Sequence, residues 1–394
     1  MRIGSLFSLT LLKDALDTMS YTNNFVRFVQ RPAGKPTPDV FELGVEDVRE
    51  LRANEFLIKS AYISMDPALV GRMRDEDNYV EKVNPGEVMQ AYGVGQVIAS
   101  RNAKVKVGEV RLGLLNMQEY SIQSDSDQFR AINLGLADAN AYLSVVGVTG
   151  ATAYFGLFDI CQPKAGETIV ISAGASSVGT VVAQLAKQLG CRTVAIVSTD
   201  EKCEQVRREW GYDAAVSYRD KSIDELTEAL QQACPNGADM YYDNTSGDIS
   251  EAMLDVFNEQ ARVAVIGRLG IAHLPNTKMD RGRRDSNIML TKRLTKKGMV
   301  LFDYQSRMME AILQLAKWVR QGKLKMKEDV MEGIENMPTA FFRMLDGKAQ
   351  GKQLVKLSDI NHSLDPSPRG VGRLLTADKF PTRMLAKILG RKTA

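Results

Sequence analysis

Histidine and cysteine are scarce: 2 and 4 respectively in 394 residues. Cys161, Cys191, Cys203 and Cys234 stand far apart with no CxxC spacing, which argues against a disulfide framework and for the reduced thiols of a cytoplasmic protein. His273 and His362 are equally isolated, so the ligands of a catalytic zinc are gathered nowhere along the chain and no metal is expected. No apolar run reaches the roughly 18 residues of a membrane span. Charge of one sign is missing too. The 51 basic and 48 acidic residues leave a net +3, which does not point to nucleic acid or an acidic partner. Repeats and low-complexity tracts are absent.

The first stretch, MRIGSLFSLTLLKDALDTMS, has a short apolar patch from Ile3 to Leu12 but no small-residue cleavage site. It makes a poor secretory signal, and residues 1–21 read as an N-terminal extension. Residues 22–146 hold short β-like runs broken by Gly and Pro, such as EFLIKSAYISMDP and YGVGQVIAS, and read as a β-rich, barrel-like domain. From 147 to 330 strands alternate with helices, beginning TIVISA, SVGTVVAQLAKQLG, RTVAIV and DEKCEQVRREWG and ending with strand GMVLFDY and helix RMMEAILQLAKWVRQG. About six parallel strands of this kind make a doubly wound α/β sheet. Residues 331–359 end in a strand expected to return to the first domain, which puts the active site in the cleft between the two. The tail 360–394 reads as an appendage.

The chemistry starts at the turn Ala173-Gly174-Ala175-Ser176-Ser177-Val178-Gly179, between the first strand of the alternating region and its helix. A dinucleotide needs a turn whose backbone approaches the diphosphate and sets it at a helix N-terminus. Of the three usual glycine positions only the last, Gly179, is read as glycine; small side chains at Ala173 and Ser176 meet the same need, and Ser176 has a hydroxyl to offer a phosphate. A plain strand–turn–helix is the bland alternative, and the full alternating pattern around the turn favours the cofactor. The second strand ends at a small hydroxyl, Ser198, where an NAD enzyme carries an acid. Lys202 stands one turn into the next helix, suited to the 2′-phosphate of NADP(H), while Asp200 reads as a helix cap. Lys202 as a solvated helix residue is the rival reading.

Several stretches then carry a resemblance: RPAGKPTPDVF (31–41), YISMDP with GRM (62–73), GATAYFGLFDICQPKAGETIVISA (150–173), EKC (201–203), YYDN (241–244) and MPTAFFRML (337–345). Together, over residues 25–358, they are similar to the zinc-independent medium-chain dehydrogenase/reductases, in the group of NADPH-dependent double-bond reductases. That resemblance implies a Rossmann sheet beside a GroES-like β-rich domain, and cofactor contacts from Thr152, the 173–179 turn, Lys202, Tyr218 and Asn244. It implies hydride delivery to an α,β-unsaturated carbonyl without metal, and a homodimer. The departures lie across the cleft: Ala68 and Val70 replace Tyr and Arg, Met117 an aromatic, Ala272 a substrate-side Tyr, and Ala349 a cofactor Asn. With that Tyr gone, Tyr62 and Tyr92 are candidate replacement donors, against the commoner role of strand tyrosines as packing. A quinone reductase and a divergent NADP-binding protein without turnover remain alternatives.

Two features fall outside this reading. The basic stretch 276–297 reads as a solvated loop over the cleft rather than a nucleic-acid site, since no aromatics interleave it. Tail residues 378–391 place Phe380, Met384, Leu385, Ile388 and Leu389 on one helical face beside Arg383, Lys387 and Arg391, a pattern for a membrane surface, a partner or the protein's own core.

Overall fold

A computed structural model describes residues 20–76, 78–124 and 128–367. The readings of residues 1–19 and of tail 378–391 lie outside these. The chain opens with the antiparallel hairpin β1 (Thr22–Phe28) and β2 (Phe41–Asp47). There follow β3 (Phe56–Ser64), the short helix α1 (Ala68–Met73), β4 (Gly93–Ser100), β5 (Val110–Gly113), β6 (Tyr120–Gln123) and β7 (Arg130–Ala131). Phe28, Phe56, Ile58, Ile63 and Met65 bury the core of this β-rich unit.

After α2 (Val148–Phe155) the α/β region runs β8 (Thr168–Ser172), α3 (Ser177–Gln188), β9 (Arg192–Val197), α4 (Asp200–Trp210), β10 (Ala214–Ser217), α5 (Ile223–Ala233), β11 (Ala238–Asp243), α6 (Gly247–Ala252) and β12 (Phe257–Val265). It continues with α7 (Ser286–Lys292), β13 (Thr295–Gly298) and α8 (Met308–Arg320). The strand order β10-β9-β8-β11-β12-β13, parallel throughout, is that of a doubly wound dinucleotide fold. Its strands are apolar on both faces because helices cover both: Ile169 and Ile171 of β8 pack to one side, Val170 to the other with Val194 and Ile196. Helix starts follow their sequence signals, as in the capping box of Ser222 and Glu225 on α5, and Gly211 ends α4 in the left-handed conformation at φ +70°.

Three expectations are corrected. The last strand is not GMVLFDY but Thr295–Gly298, and Leu301–Arg307 coils into a 3₁₀ helix. The register explains this: Gly298 lies opposite Val265, where β12 ends, so the apolar residues beyond have no strand to pair with. The second correction follows from the first, since α7 and all but the last residue of β13 lie within the stretch 276–297 read as a loop. Its cations are largely engaged, with Arg283 on Asp255, Arg293 on Glu259 and Lys296 on Asp285. Third, the cap of α4 is Thr199, extended at φ −144° and accepting the Lys202 amide at 3.3 Å; Asp200 is the first helical residue and accepts from Ser217 Oγ.

β14 (Glu328–Glu332), α9 (Met337–Leu345) and β15 (Lys352–Lys356) carry the chain back. β15 pairs antiparallel with β3, giving a sheet ordered β14-β15-β3-β4-β5-β7 with β6 on β3. Beyond it, residues 361–367 are packed rather than appended: Gln96 exchanges hydrogen bonds with the Asn361 backbone at 3.0 and 2.9 Å, and Ser367 Oγ donates to the Ile132 carbonyl at 3.2 Å. Among the described residues no helix is long and apolar enough to cross a membrane.

Candidate functional site

The turn between β8 and α3 is tighter than its side chains alone suggest. Ala173 takes the left-handed conformation at φ +47°, a strained state for an L-residue. Gly174 is required, which revises the reading of a single essential glycine: a Cβ there would stand 2.7 Å from Ala195 Cβ on β9. At Gly179 a Cβ would stand 2.6 Å from the Ala173 carbonyl oxygen. The spacing is therefore Gly174-x-Ser176-x-x-Gly179, with one replacement. Buried Tyr212 clamps the turn, its hydroxyl shared between the carbonyls of Gly174 at 2.9 Å and Gly179 at 3.0 Å.

Ser176 caps α3, its Oγ accepting the Gly179 amide at 3.1 Å. Because the oxygen accepts there, the hydroxyl hydrogen is left to point outward. The Ser177 and Val178 amides have no partner among the described residues. A hydroxyl and unpaired amides at the positive end of a helix are a phosphate-binding set, so these residues fit a dinucleotide.

The turn opens into a cleft of about 1450 Å³ between the α/β sheet and the β-rich unit. That exceeds the roughly 300–1,000 Å³ of a pocket for one drug-sized ligand and leaves room for cofactor and substrate together. Thr152, Ala173, Ser176, Ser177, Val178 and Asn244 line it. The cleft thus sits where the strand order reverses between β8 and β11, outside the strand ends. Asn244 is held there by its own Nδ2, which donates to the Ser172 carbonyl at 2.7 Å, and Thr152 Oγ1 donates to Val148 at 2.8 Å. Ala175 packs into the core instead, and Gly179 is buried beneath the turn.

Ser198, Lys202 and Tyr218 lie together at the β9 and β10 ends, beyond the residues that line the cleft. Lys202 Nζ donates to the Gly347 carbonyl at 2.6 Å. Burial pushes its ammonium below the usual lysine range, and nearby Arg219 adds to the effect. Tyr218 is exposed. Two cations and a phenol gathered beside a helix N-terminus suit a further phosphate. Ala349 belongs to the same return loop as Gly347, away from the cleft.

Across the cleft, Ala68 and Val70 on α1 and Ala272 line the cavity, so these three replacements do face the site. Arg74 spans the gap, donating to the carbonyls of Ala272 at 2.6 Å and Leu274 at 2.8 Å, while Glu76 accepts from Thr277 Oγ1 at 2.7 Å. Nothing in the local sequence pairs these segments some 200 residues apart. Lys352 of β15 is buried against Asp66 on the same wall.

The structure separates the two candidate tyrosines. Tyr92 lines the cleft, and its hydroxyl makes no hydrogen bond among the described residues. Burial raises its phenol above the ordinary value, with the Arg72 guanidinium opposing. Tyr62 is not part of the lining: in β3 it pairs with Lys356 and packs on the core shared with the α/β unit. Tyr79, Arg72 and Arg268 line the cleft and were not singled out from the sequence.

Among the described residues no group of three or more His, Cys, Asp or Glu is placed to hold a metal ion. Residues 25–132 match a family model described as the N-terminal domain of oxidoreductase, and residues 177–318 one described as zinc-binding dehydrogenase. The chain is 35% identical to the NADPH-dependent curcumin reductase of Escherichia coli, over 83% of this chain and 95% of that protein. It is 33% identical to the NADP(+)-dependent 2-alkenal reductase of Nicotiana tabacum, over 78% and 88%. CurA from Vibrio vulnificus, solved in complex with NADPH, superposes with a TM-score of 0.78 at 34% identity, covering 85% of this chain and 99% of CurA. With its sheet order, its cleft and these relatives, the chain belongs to the medium-chain dehydrogenase/reductases, in their NADP-dependent double-bond reductase group.

Proposed function

We propose that the protein is an NADPH-dependent reductase of the C=C bond of α,β-unsaturated carbonyl compounds, 2-alkenals and enones. The observation that carries this reading is the joint lining of one cleft by a phosphate-ready turn and a wall with an unpaired phenol, Tyr92. In this reading Ser176, Ser177 and Val178 hold the diphosphate, and Ala173, Ala175 and Gly179 allow its close approach. Lys202, Tyr218 and Ser198 hold the 2′-phosphate, while Thr152 and Asn244 flank the nicotinamide end. NADPH, when bound, supplies the hydride that reaches the β-carbon.

The chain's own contribution is electrostatic and positional. Negative charge grows on the carbonyl oxygen as the double bond is reduced, and Tyr92 donates a hydrogen bond to it. Its raised pKa keeps the proton on the phenol at neutral pH. Ala272 offers no donor, so the α-carbon takes its proton from Tyr92 or from water. Residues 22–146 and 331–359 form the substrate side and 147–330 the cofactor side. Strand β13, exposed at every residue, ends the sheet with an edge unpaired among the described residues, and Leu290 on the preceding helix α7 is 77% exposed, which supports a homodimer joined there. The free cysteines support a cytoplasmic location.

The test is NADPH oxidation with a panel of 2-alkenals, enones and quinones. Turnover of the first two with a saturated carbonyl product supports the reading. Turnover confined to quinones favours a quinone reductase, which shares the hydride donor. NADPH binding without consumption by any member of the panel favours a protein that binds the cofactor and does not turn over.

A further inference from the structure

Tyr242 is a phenol at a position where packing needs only a ring. It lies on β11, wholly buried, in the apolar cluster that holds Phe155, Leu157, Ile171, Met240 and Ala264, while its neighbour Tyr241 packs in the layer on the other face of the sheet. A phenylalanine fills the same space with no polar atom to satisfy, so the hydroxyl is costly without a partner. It has one: Tyr242 Oη donates to the Thr152 carbonyl at 2.8 Å. Burial holds the phenol pKa well above its ordinary value, which keeps it a donor at neutral pH.

The helix is shaped around this bond. At its C-terminal end α2 widens into a π-helical turn, Gly156–Cys161, and the Gly156 amide is shared between the Thr152 and Ala153 carbonyls. Such widened turns recur at functional sites. Gly156 leaves the room for the phenol: a Cβ there would stand 2.5 Å from Tyr242 Oη and 2.7 Å from a ring carbon.

The two ends of the bond both lead to the cleft. Thr152 lines it from α2, together with Val148 and Thr149. Asn244, two residues beyond Tyr242, lines it from the end of β11 and is fastened to the Ser172 carbonyl of β8. Tyr242 therefore stands on the strand that leads to Asn244 and is bonded to the backbone of Thr152, so it sets one against the other. These are the two residues assigned above to the nicotinamide end. Resting on that assignment, we infer that Tyr242 is a positioning residue for the nicotinamide end of the cofactor. It acts through the Thr152 carbonyl and is itself outside the cleft lining.

The test uses two ligands that differ at that end only, NADP⁺ and 2′-phospho-ADP-ribose, which lacks the nicotinamide. In Tyr242→Phe, calorimetry is expected to show NADP⁺ binding weakened roughly 3- to 10-fold, the span of one hydrogen bond, with the truncated ligand unchanged. With NADPH and an enone, kcat is expected to fall by a similar factor. The primary isotope effect from NADPH deuterated at the transferred position is expected to grow, because misplacement slows the chemical step. Gly156→Ala crowds the same hydroxyl from the helix side and is expected to reproduce the selective loss; it decides the matter if Tyr242→Phe does not fold. Equal weakening of both ligands, or no change in either, overturns the inference and assigns the hydroxyl to the fold alone. Absence of enone turnover in the native protein overturns the reductase reading and leaves the two-ligand comparison to decide this one.

Discussion

Lys202 Nζ donates to the Gly347 carbonyl at 2.6 Å, so a cation beside the β9 end is also one tie between α4 and the returning chain. An ammonium has three donors, and this bond leaves two for a phosphate. Replacing Lys202 by Ala is expected to raise KM for NADPH about 10- to 100-fold and to change KM for NADH little. Steady-state kinetics with both cofactors checks this. Equal effects on the two would mean that the lysine serves only the return loop.

Ala173 holds φ +47° and has only its methyl group to lose. Ala173→Gly is expected to stabilise the protein by about 0.5–1 kcal/mol, the relief of left-handed strain less the added freedom of the unfolded chain. Gly179→Ala is expected to do the reverse, because the new Cβ meets a backbone oxygen at 2.6 Å and must open the turn. Chemical denaturation of both variants measures the opposite signs.

Tyr212 is buried and its hydroxyl is shared between two turn carbonyls. Tyr212→Phe keeps the ring and removes the clamp. The expected cost is about 1–3 kcal/mol in denaturation, with weaker NADPH binding in fluorescence titration. A loss of stability with cofactor affinity unchanged would show that the clamp serves the fold alone.

Tyr92 acts through its protonated form, and burial raises its pKa above the ordinary 10.0. The sign is that of an acid retained to higher pH, so kcat should show no loss from this group below about pH 10. Tyr92→Phe should lower kcat on enones roughly 100-fold and leave KM for NADPH near its native value. A pH–rate profile and the variant's kcat check both halves.

The parts of the site readable from sequence were those whose cause is local. The strand–turn–helix at 168–188 follows from an apolar β-branched run, small turn residues and an amphipathic helix. Lys202 stands one turn past a strand end, a local relation. Misreadings came where a distant strand or loop decides. GMVLFDY has the composition of a strand, yet the end of β12 leaves it unpaired, and Thr295–Gly298 pairs in its place despite being polar. Tyr62 and Tyr92 looked alike as strand tyrosines until the β3 pairing with β15 turned one away from the cleft.

By itself the sequence determined the α/β alternation and the small-residue turn, because both depend on residues a few positions apart. Tertiary structure alone decided what faces the substrate. Gly174 is obligatory because β9 passes against it, and Arg74 reaches two carbonyls about 200 residues away. Pairing and its absence are properties of space, and chain order does not record them.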